Sequence, residues 1–183
     1  LVGFTACDSF LDEEPKSSLT LDTYYKTSAD IIGNVNYLYR DGAPDKMGNM
    51  TGAYRGSSLS VMNMVTGYFV NEYEGQEVDC SYARQLTRQN FTQSCCNYLT
   101  NDTWKGCYKS INVANAVIKY VDGVEMDGQA QYKAEARFFR ALNYFYLVKM
   151  FGDVPMITEP TEDATLVEYP ARTALSLIHI SEP

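Results

Sequence analysis

The sequence predicts a mainly α fold, built of antiparallel helical hairpins with long irregular loops between them. Three observations predict it. Apolar residues recur at i, i+3, i+4 and i+7 over two long stretches, 104–121 and 129–151. A short turn containing Gly123 and Gly128 separates the two. No run of alternating apolar and polar residues marks a strand.

Composition sets the frame for these elements. The chain has 183 residues, of which 45% are hydrophobic and 21% charged. That is one domain, or a piece of a larger one, with enough apolar matter to bury a core. Lys and Arg number 15 against 23 Asp and Glu, a net charge of −8. Such a balance argues against nucleic acid as a partner, whose affinity comes from neutralised phosphates, and against a polybasic membrane-surface patch. The longest apolar run, Tyr144 to Val148, is far short of the roughly 20 residues of a membrane helix.

From the N-terminus, residues 1–6 read as the end of a signal peptide. Cys7, after the small Ala6, is the expected lipidation site, against the reading of a buried cysteine in a short strand. Residues 7–26 form an extended leader broken by Pro15, Ser17 and Ser18. Thr27, with Asp30 three residues on, starts a helix whose apolar face is Ile31, Val35, Leu38 and Tyr39. Asp41-Gly42 ends it, and a Gly-, Ser- and Asn-rich loop follows. Leu59 to Val70 is apolar enough for a short helix. Residues 71–100 form a polar, aromatic excursion with a short helix near Ala83–Arg88.

Asn101-Asp102-Thr103 caps the clearest helix, striped by Trp104, Cys107, Tyr108, Ile111, Ala114, Asn115, Ile118 and Val121 and closed by Gly123. The second long helix, 129–151, shows Ala134, Phe138, Ala141, Leu142, Phe145 and Val148 on one face, widened by Tyr144, Leu147 and Phe151. Gly152 stops it, and residues 153–157 are a loop or a short extended stretch. With small residues at the contact points, this hairpin resembles one tetratricopeptide-like repeat, although no 34-residue repeat runs through the chain. Residues 27–173 are thus the expected helical domain. Residues 174–183 do not continue the pattern and resemble translated adapter sequence, so they are expected to be a non-native tail, which resequencing of the locus tests.

Catalytic sets are sparse. The one histidine, His179, lies in that tail, which leaves no zinc hydrolase and no Ser or Cys protease. No phosphate-cradling Gly-rich motif occurs. Cys80, Cys95, Cys96 and Cys107 lack metal-ligand spacing, and their disulfide state stays open. No catalytic residue, metal or cofactor is expected. Carboxylate-only glycoside hydrolysis would draw on Glu72, Glu74, Glu77 and Asp79, but a solvated acidic loop is the favoured reading of that cluster. Trp104, Tyr108, Phe138 and Phe145 sit on helix stripes and are expected in the core. Tyr68, Phe69, Tyr73, Tyr82, Phe91 and Tyr98 fall in the irregular 64–100 stretch, where exposed rings can stack on sugar faces. Tyr73, Tyr82 and Phe91 are the candidate ligand-binding residues, the alternative being that the rings pack the loop onto the helices.

Two motifs and the leader carry a resemblance. They are Trp104-x-x-x-Tyr108-x-x-Ile111-x-x-Ala114-Asn115, and Ala134-Glu135-Ala136-Arg137-Phe138-Phe139-Arg140-Ala141-x-x-Tyr144-Phe145-x-Leu147-x-x-x-Phe151-Gly152-Asp153-Val154-Pro155, with Cys7-Asp8-Ser9-Phe10-Leu11-Asp12-x-x-Pro15 at the start. From Cys7 to about Thr173 the chain closely resembles the SusD/RagB family. The resemblance implies an α/α superhelical fold and a lipid-anchored protein on the outer surface of Bacteroidetes-type bacteria. It implies binding of a glycan or other nutrient, with a SusC-like TonB-dependent transporter as partner and no enzyme activity. Family members are far longer, and this segment does not fix the ligand. A helical-repeat scaffold that binds only protein partners is the alternative.

Overall fold

The computed structural model describes residues 20–40, 42, 63–70, 84, 85, 87–162 and 170–173, with the side chains of 93–102 outside that description. The elements in chain order are α1 (Leu21–Tyr24), α2 (Ser28–Arg40), α3 (Gln93–Tyr120), a 3₁₀ turn (Val121–Gly123), α4 (Gln129–Phe151), β1 (Val154–Pro155) and β2 (Arg172–Thr173). The architecture is mainly helical, as the periodicity predicts. No helix among the described residues is long and apolar enough to cross a membrane. Cys7 and its leader up to residue 19, the acidic cluster 72–79, Cys80 and the tail from 174 lie outside the described residues, whereas the end of the leader, expected to be extended, forms α1 and buries Tyr25 in the core.

α2 starts where the Thr27–Asp30 pair places it. The Asp30 carboxylate accepts from the Thr27 amide (2.8 Å), the Thr27 hydroxyl (2.7 Å) and the Lys26 amide (3.3 Å). Two of these donors are backbone groups just ahead of the first turn, so the helix entry is tied down. The Thr27 hydroxyl above all, then the Thr27 amide, holds the Asp30 carboxyl below its usual range. A depressed carboxyl pKa contributes stability above its unfolded-state value of about 3.9, and that contribution is lost as pH falls through the lower folded value. The melting-temperature gap between the parent and Asp30→Ala should therefore narrow from about pH 7 to about pH 2; a gap that stays constant would mean the carboxylate does not make this cap.

Ile31, Val35 and Leu38 are fully buried, while Tyr39 keeps half its surface and sets its ring edge-on to Phe139 at 4.6 Å. Gly42 closes the helix by donating its amide to the Tyr37 carbonyl (3.0 Å). A Cβ at Gly42 would lie 2.7 Å from the Leu38 Cα, so only glycine lets the chain leave this close to the helix.

α3 departs from the expected start at Asn101 and begins at Gln93. No Gly or Pro falls between 93 and 103. Asn and Asp inside a helix cost only a few tenths of a kcal/mol each, so a polar triplet marks a cap only where something else stops the helix. Tyr98, read as part of the loop, lies within this helix. Gly123 closes the 3₁₀ turn, and Gly128, at φ +78°, makes the left-handed entry to α4. Gln129 spans the turn by donating to the Val121 (3.3 Å) and Val124 (2.5 Å) carbonyls.

α3 and α4 run antiparallel. Trp104 near one end meets Phe151 at the other (5.1 Å), and Asn115 meets Arg140 near the middle. Two core clusters result. Ala114, Ala116, Val117 and Val121 join Ile31, Val35, Leu38, Ala136 and Phe139 in one. Cys107, Ile111, Tyr144, Leu147 and Val154 form the other, flanked by Trp104, Tyr108 and Phe151.

The phase of α4 corrects the expected face. The buried residues are Ala136, Phe139, Arg140, Asn143, Tyr144 and Leu147. Ala134 is exposed, and Phe138 and Phe145 are exposed at 60% and 36%, so neither ring is core. The doublets Phe138-Phe139 and Tyr144-Phe145 make the helix apolar on nearly every side, so periodicity gives its length and not its rotation. Rotation follows the polar partners. Asn143 Nδ2 donates to the Gly42 (3.1 Å) and Phe139 (2.8 Å) carbonyls, and Arg140 Nη1 donates to Asn115 Oδ1 (3.1 Å). Both residues have partners waiting on the buried side, which a hydropathy pattern cannot register.

After Gly152 (φ +67°) the chain doubles back as a strap in the groove between α3 and α4. Tyr108 donates to the Pro155 carbonyl (2.7 Å), and Asn112 Oδ1 accepts from the Thr161 amide (2.7 Å). Asn115 Nδ2 donates to the Ile157 (3.0 Å) and Glu159 (3.2 Å) carbonyls, and Lys119 pairs with Glu162. From α4, the Tyr144 hydroxyl both donates to the Ile157 carbonyl (2.9 Å) and accepts its amide (2.6 Å). Positions 108, 112, 115 and 119 lie on one stripe of α3, so helix geometry itself lays out the rail. β1 pairs antiparallel with β2, Val154 opposite Thr173 and Pro155 opposite Arg172. Arg172 Nη1 donates to the Phe151 carbonyl at the end of α4 (3.4 Å) and to the Asp153 carbonyl just beyond it (2.9 Å), and its guanidinium lies 5.6 Å over the Trp104 ring.

Candidate ligand-contacting surface

Among the described residues of the irregular stretch, two short segments carry exposed aromatic rings. In the first, residues 59–62 of the expected helix lie outside the described residues; within 63–70, Asn63–Met64 are helical and a turn follows. Thr66 Oγ1 donates to the Asn63 carbonyl (2.7 Å) and accepts from the Tyr68 amide (3.3 Å). Gly67 sits at φ +78°, which reverses the chain at little steric cost. The turn sends Tyr68 and Phe69 outward, exposed at 89% and 54%.

In the second segment, Arg84, Gln85 and Thr87 are helical, as expected near Ala83–Arg88. The turn closes through the Arg88 amide to the Arg84 carbonyl (3.0 Å) and the Asn90 amide to the Gln85 carbonyl (2.9 Å). Gln89 takes a left-handed φ of +52° there, a conformation that ends helical turns. Thr92 Oγ1 donates to Gln85 Oε1 (2.6 Å), and between these anchors Phe91 emerges, 55% exposed. The segments touch where Thr87 Oγ1 donates to the Met64 sulfur (3.8 Å).

Of the three candidate ligand residues, Phe91 is thus presented to solvent from a braced turn. Tyr73 and Tyr82 lie outside the described residues. Tyr68 and Phe69, expected among the loop rings able to stack on sugar faces but outside the three candidates, are exposed here as well. Gly67 just before them is the signal in the sequence that the helix stops and these rings turn outward.

Cys107 offers no nucleophile. It is a free thiol, fully buried, and burial pushes its pKa up to about 12. The thiolate is the reactive form, so native protein at pH 8 should leave Cys107 unalkylated by iodoacetamide. Peptide mapping by mass should find it modified only after denaturation; labelling in the native state would contradict its burial.

The chain is similar to known proteins over nearly its whole length. The SusD-like family, described as "Starch-binding associating with outer membrane", matches residues 9–176. A SusD-like protein of Formosa agariphila is 26% identical over 164 residues, 85% of this chain and 29% of that protein. Another from the same organism is 26% identical over 175 residues, 94% of this chain and 32% of the relative. A SusD-like protein of Bacteroides ovatus is 26% identical over 175 residues, 92% of this chain and 28% of the relative. No solved structure matches the chain significantly. The chain therefore spans less than a third of the length of these curated relatives. The match over residues 9–176 takes in the helical hairpin and the strap that follows it, and the chain belongs to the SusD-like family.

Proposed function

We propose that the protein binds oligosaccharide at the outer membrane and delivers it to a SusC-like TonB-dependent transporter, without performing chemistry on it. The family match over residues 9–176 carries this reading. The exposed rings support it, since Tyr68, Phe69 and Phe91 offer flat apolar faces on braced turns. Anchoring would come from acylation of Cys7, because stable membrane attachment needs more than one lipid chain and a processed lipoprotein cysteine supplies it.

The full-length protein, titrated against a panel of polysaccharides, should bind at least one and release no reducing ends from it. Phe91→Ala and Tyr68→Ala should each weaken binding about tenfold, the equivalent of about 1.4 kcal/mol, with little change in melting temperature. Binding unchanged by both substitutions would remove these rings from the ligand surface. Reducing ends appearing with the bound glycan would turn the reading toward a glycoside hydrolase. Cys7→Ser should move the protein out of the membrane fraction, and its retention there would end the lipid-anchor reading.

A further inference from the structure

α4 carries two arginines three positions apart, Arg137 and Arg140, and neither pairs with a carboxylate among the described residues. Arg140 is 7% exposed and donates through Nη1 to the neutral Asn115 amide. Arg137 is half-buried, and its Nε is a buried donor with no acceptor. Burial lowers the Arg140 pKa, and the nearby Arg137 charge works in the same direction, against Tyr144 and Glu159. The surroundings explain why no ion pair forms. Three and four positions away on α4 lie Lys133, Ala134, Ala136, Ala141, Asn143 and Tyr144, none of them acidic. The single carboxylate of α4, Glu135, accepts from Gln131 (2.8 Å). α3 has no acidic residue after Asp102. On the strap, Glu162 is held by Lys119, and Glu159, near enough to act on Arg140, pairs with neither arginine. A chain with 23 acidic residues against 15 basic ones thus leaves two neighbouring, partly desolvated cations without a counter-charge. Like charges at this spacing repel, and a desolvated guanidinium with open donors is costly.

We propose that Arg137 and Arg140 form a binding site for an oxyanion, a carboxylate, sulfate or phosphate group that enters from solution. A guanidinium presents its N–H donors in a planar fork that matches two oxygens of such a group, and charge-assisted bonds of this kind are stronger than neutral ones. The anion takes the buried Arg137 Nε–H together with Arg140 donors that Asn115 leaves open, and its charge offsets the repulsion between the two cations. Arg137 keeps part of its surface in water, so the pair is reached from that side. The group belongs either to a free anion or to an acidic sugar, and the site does not depend on the exposed rings at 68, 69 and 91.

The test is thermal unfolding of the full-length protein in Tris chloride with added sodium sulfate or sodium glucuronate, each against sodium chloride at equal ionic strength. Sulfate at about ten times a Kd of about 1 mM should raise the melting temperature by about 1–2 °C over chloride. Arg137→Gln, which breaks no bond seen in the structure, should fold and lose that rise, with sulfate affinity down about tenfold. In the parent protein, sulfate should slow the modification of Arg137 by phenylglyoxal, read by peptide mass. A rise with glucuronate as well makes the carboxylate of an acidic sugar a ligand of the site; a rise with sulfate alone makes it a site for free anions. No rise with either salt, or a rise that Arg137→Gln keeps in full, would overturn the proposal, and so would labelling of Arg137 that sulfate leaves unchanged.

Discussion

Asn115→Ala is expected to cost about 3 kcal/mol of folding stability, more than any surface change in the chain. Asn115 is 1% exposed and satisfies three partners with one amide. Its Nδ2 holds the Ile157 and Glu159 carbonyls, and its Oδ1 receives Arg140 Nη1. Arg140 keeps its guanidinium between the helices, where burial lowers its pKa. Truncating Asn115 takes the acceptor from Arg140 Nη1 and frees two strap carbonyls, and buried polar groups left without partners are among the costlier single lesions. Arg140→Met removes the charge together with its need for a partner and should cost clearly less, since apolar replacements of buried ionic groups are often near neutral. Chemical denaturation of the two variants gives the order. If Arg140→Met proves as damaging as Asn115→Ala, the buried charge is not what makes the amide important.

Leu147→Ala is the second large effect, about 3 kcal/mol. Leu147 is fully buried beside Cys107, Ile111, Tyr144 and Val154, so the truncation removes transfer energy and leaves a cavity between rigid helices. The prediction also tests the rotation of α4. A Leu147→Ala loss below about 1 kcal/mol would mean that Leu147 is not on the packed face.

The legible part of the fold was the part written in spacing. The hairpin, the bounds of α4, the α2 start at the Thr27–Asp30 pair and the Gly152 stop all follow from periodicity and capping chemistry, which act within a few residues. The start of α3 and the rotation of α4 were not legible, for related reasons. Asn101-Asp102-Thr103 carries the composition of a cap, but nothing beside it ends the helix. Phe138 and Phe145 have the hydropathy of a core, yet Arg140 and Asn143 take the buried side because Asn115 and the Gly42 carbonyl await them across the chain. Partners that far apart leave no local trace. At the candidate surface, the irregular 64–100 stretch already pointed to Tyr68, Phe69 and Phe91 as rings able to stack, but composition carries nothing that ranks one exposed ring above another.

The strap has a consequence for how this region can vary. Its grip is almost entirely on main-chain atoms: carbonyls at Pro155, Ile157 and Glu159, amides at Ile157 and Thr161. The side chains of Thr158 and Thr161 are exposed and take no part in those bonds. Residue identity there is free to drift while the path of the backbone is kept, since the information that fixes the path resides at Tyr108, Asn112, Asn115 and Tyr144. Sequence change and structural change are thereby uncoupled across the strap: a substitution at 158 passes unnoticed, and one at 115 moves a segment more than 40 positions away.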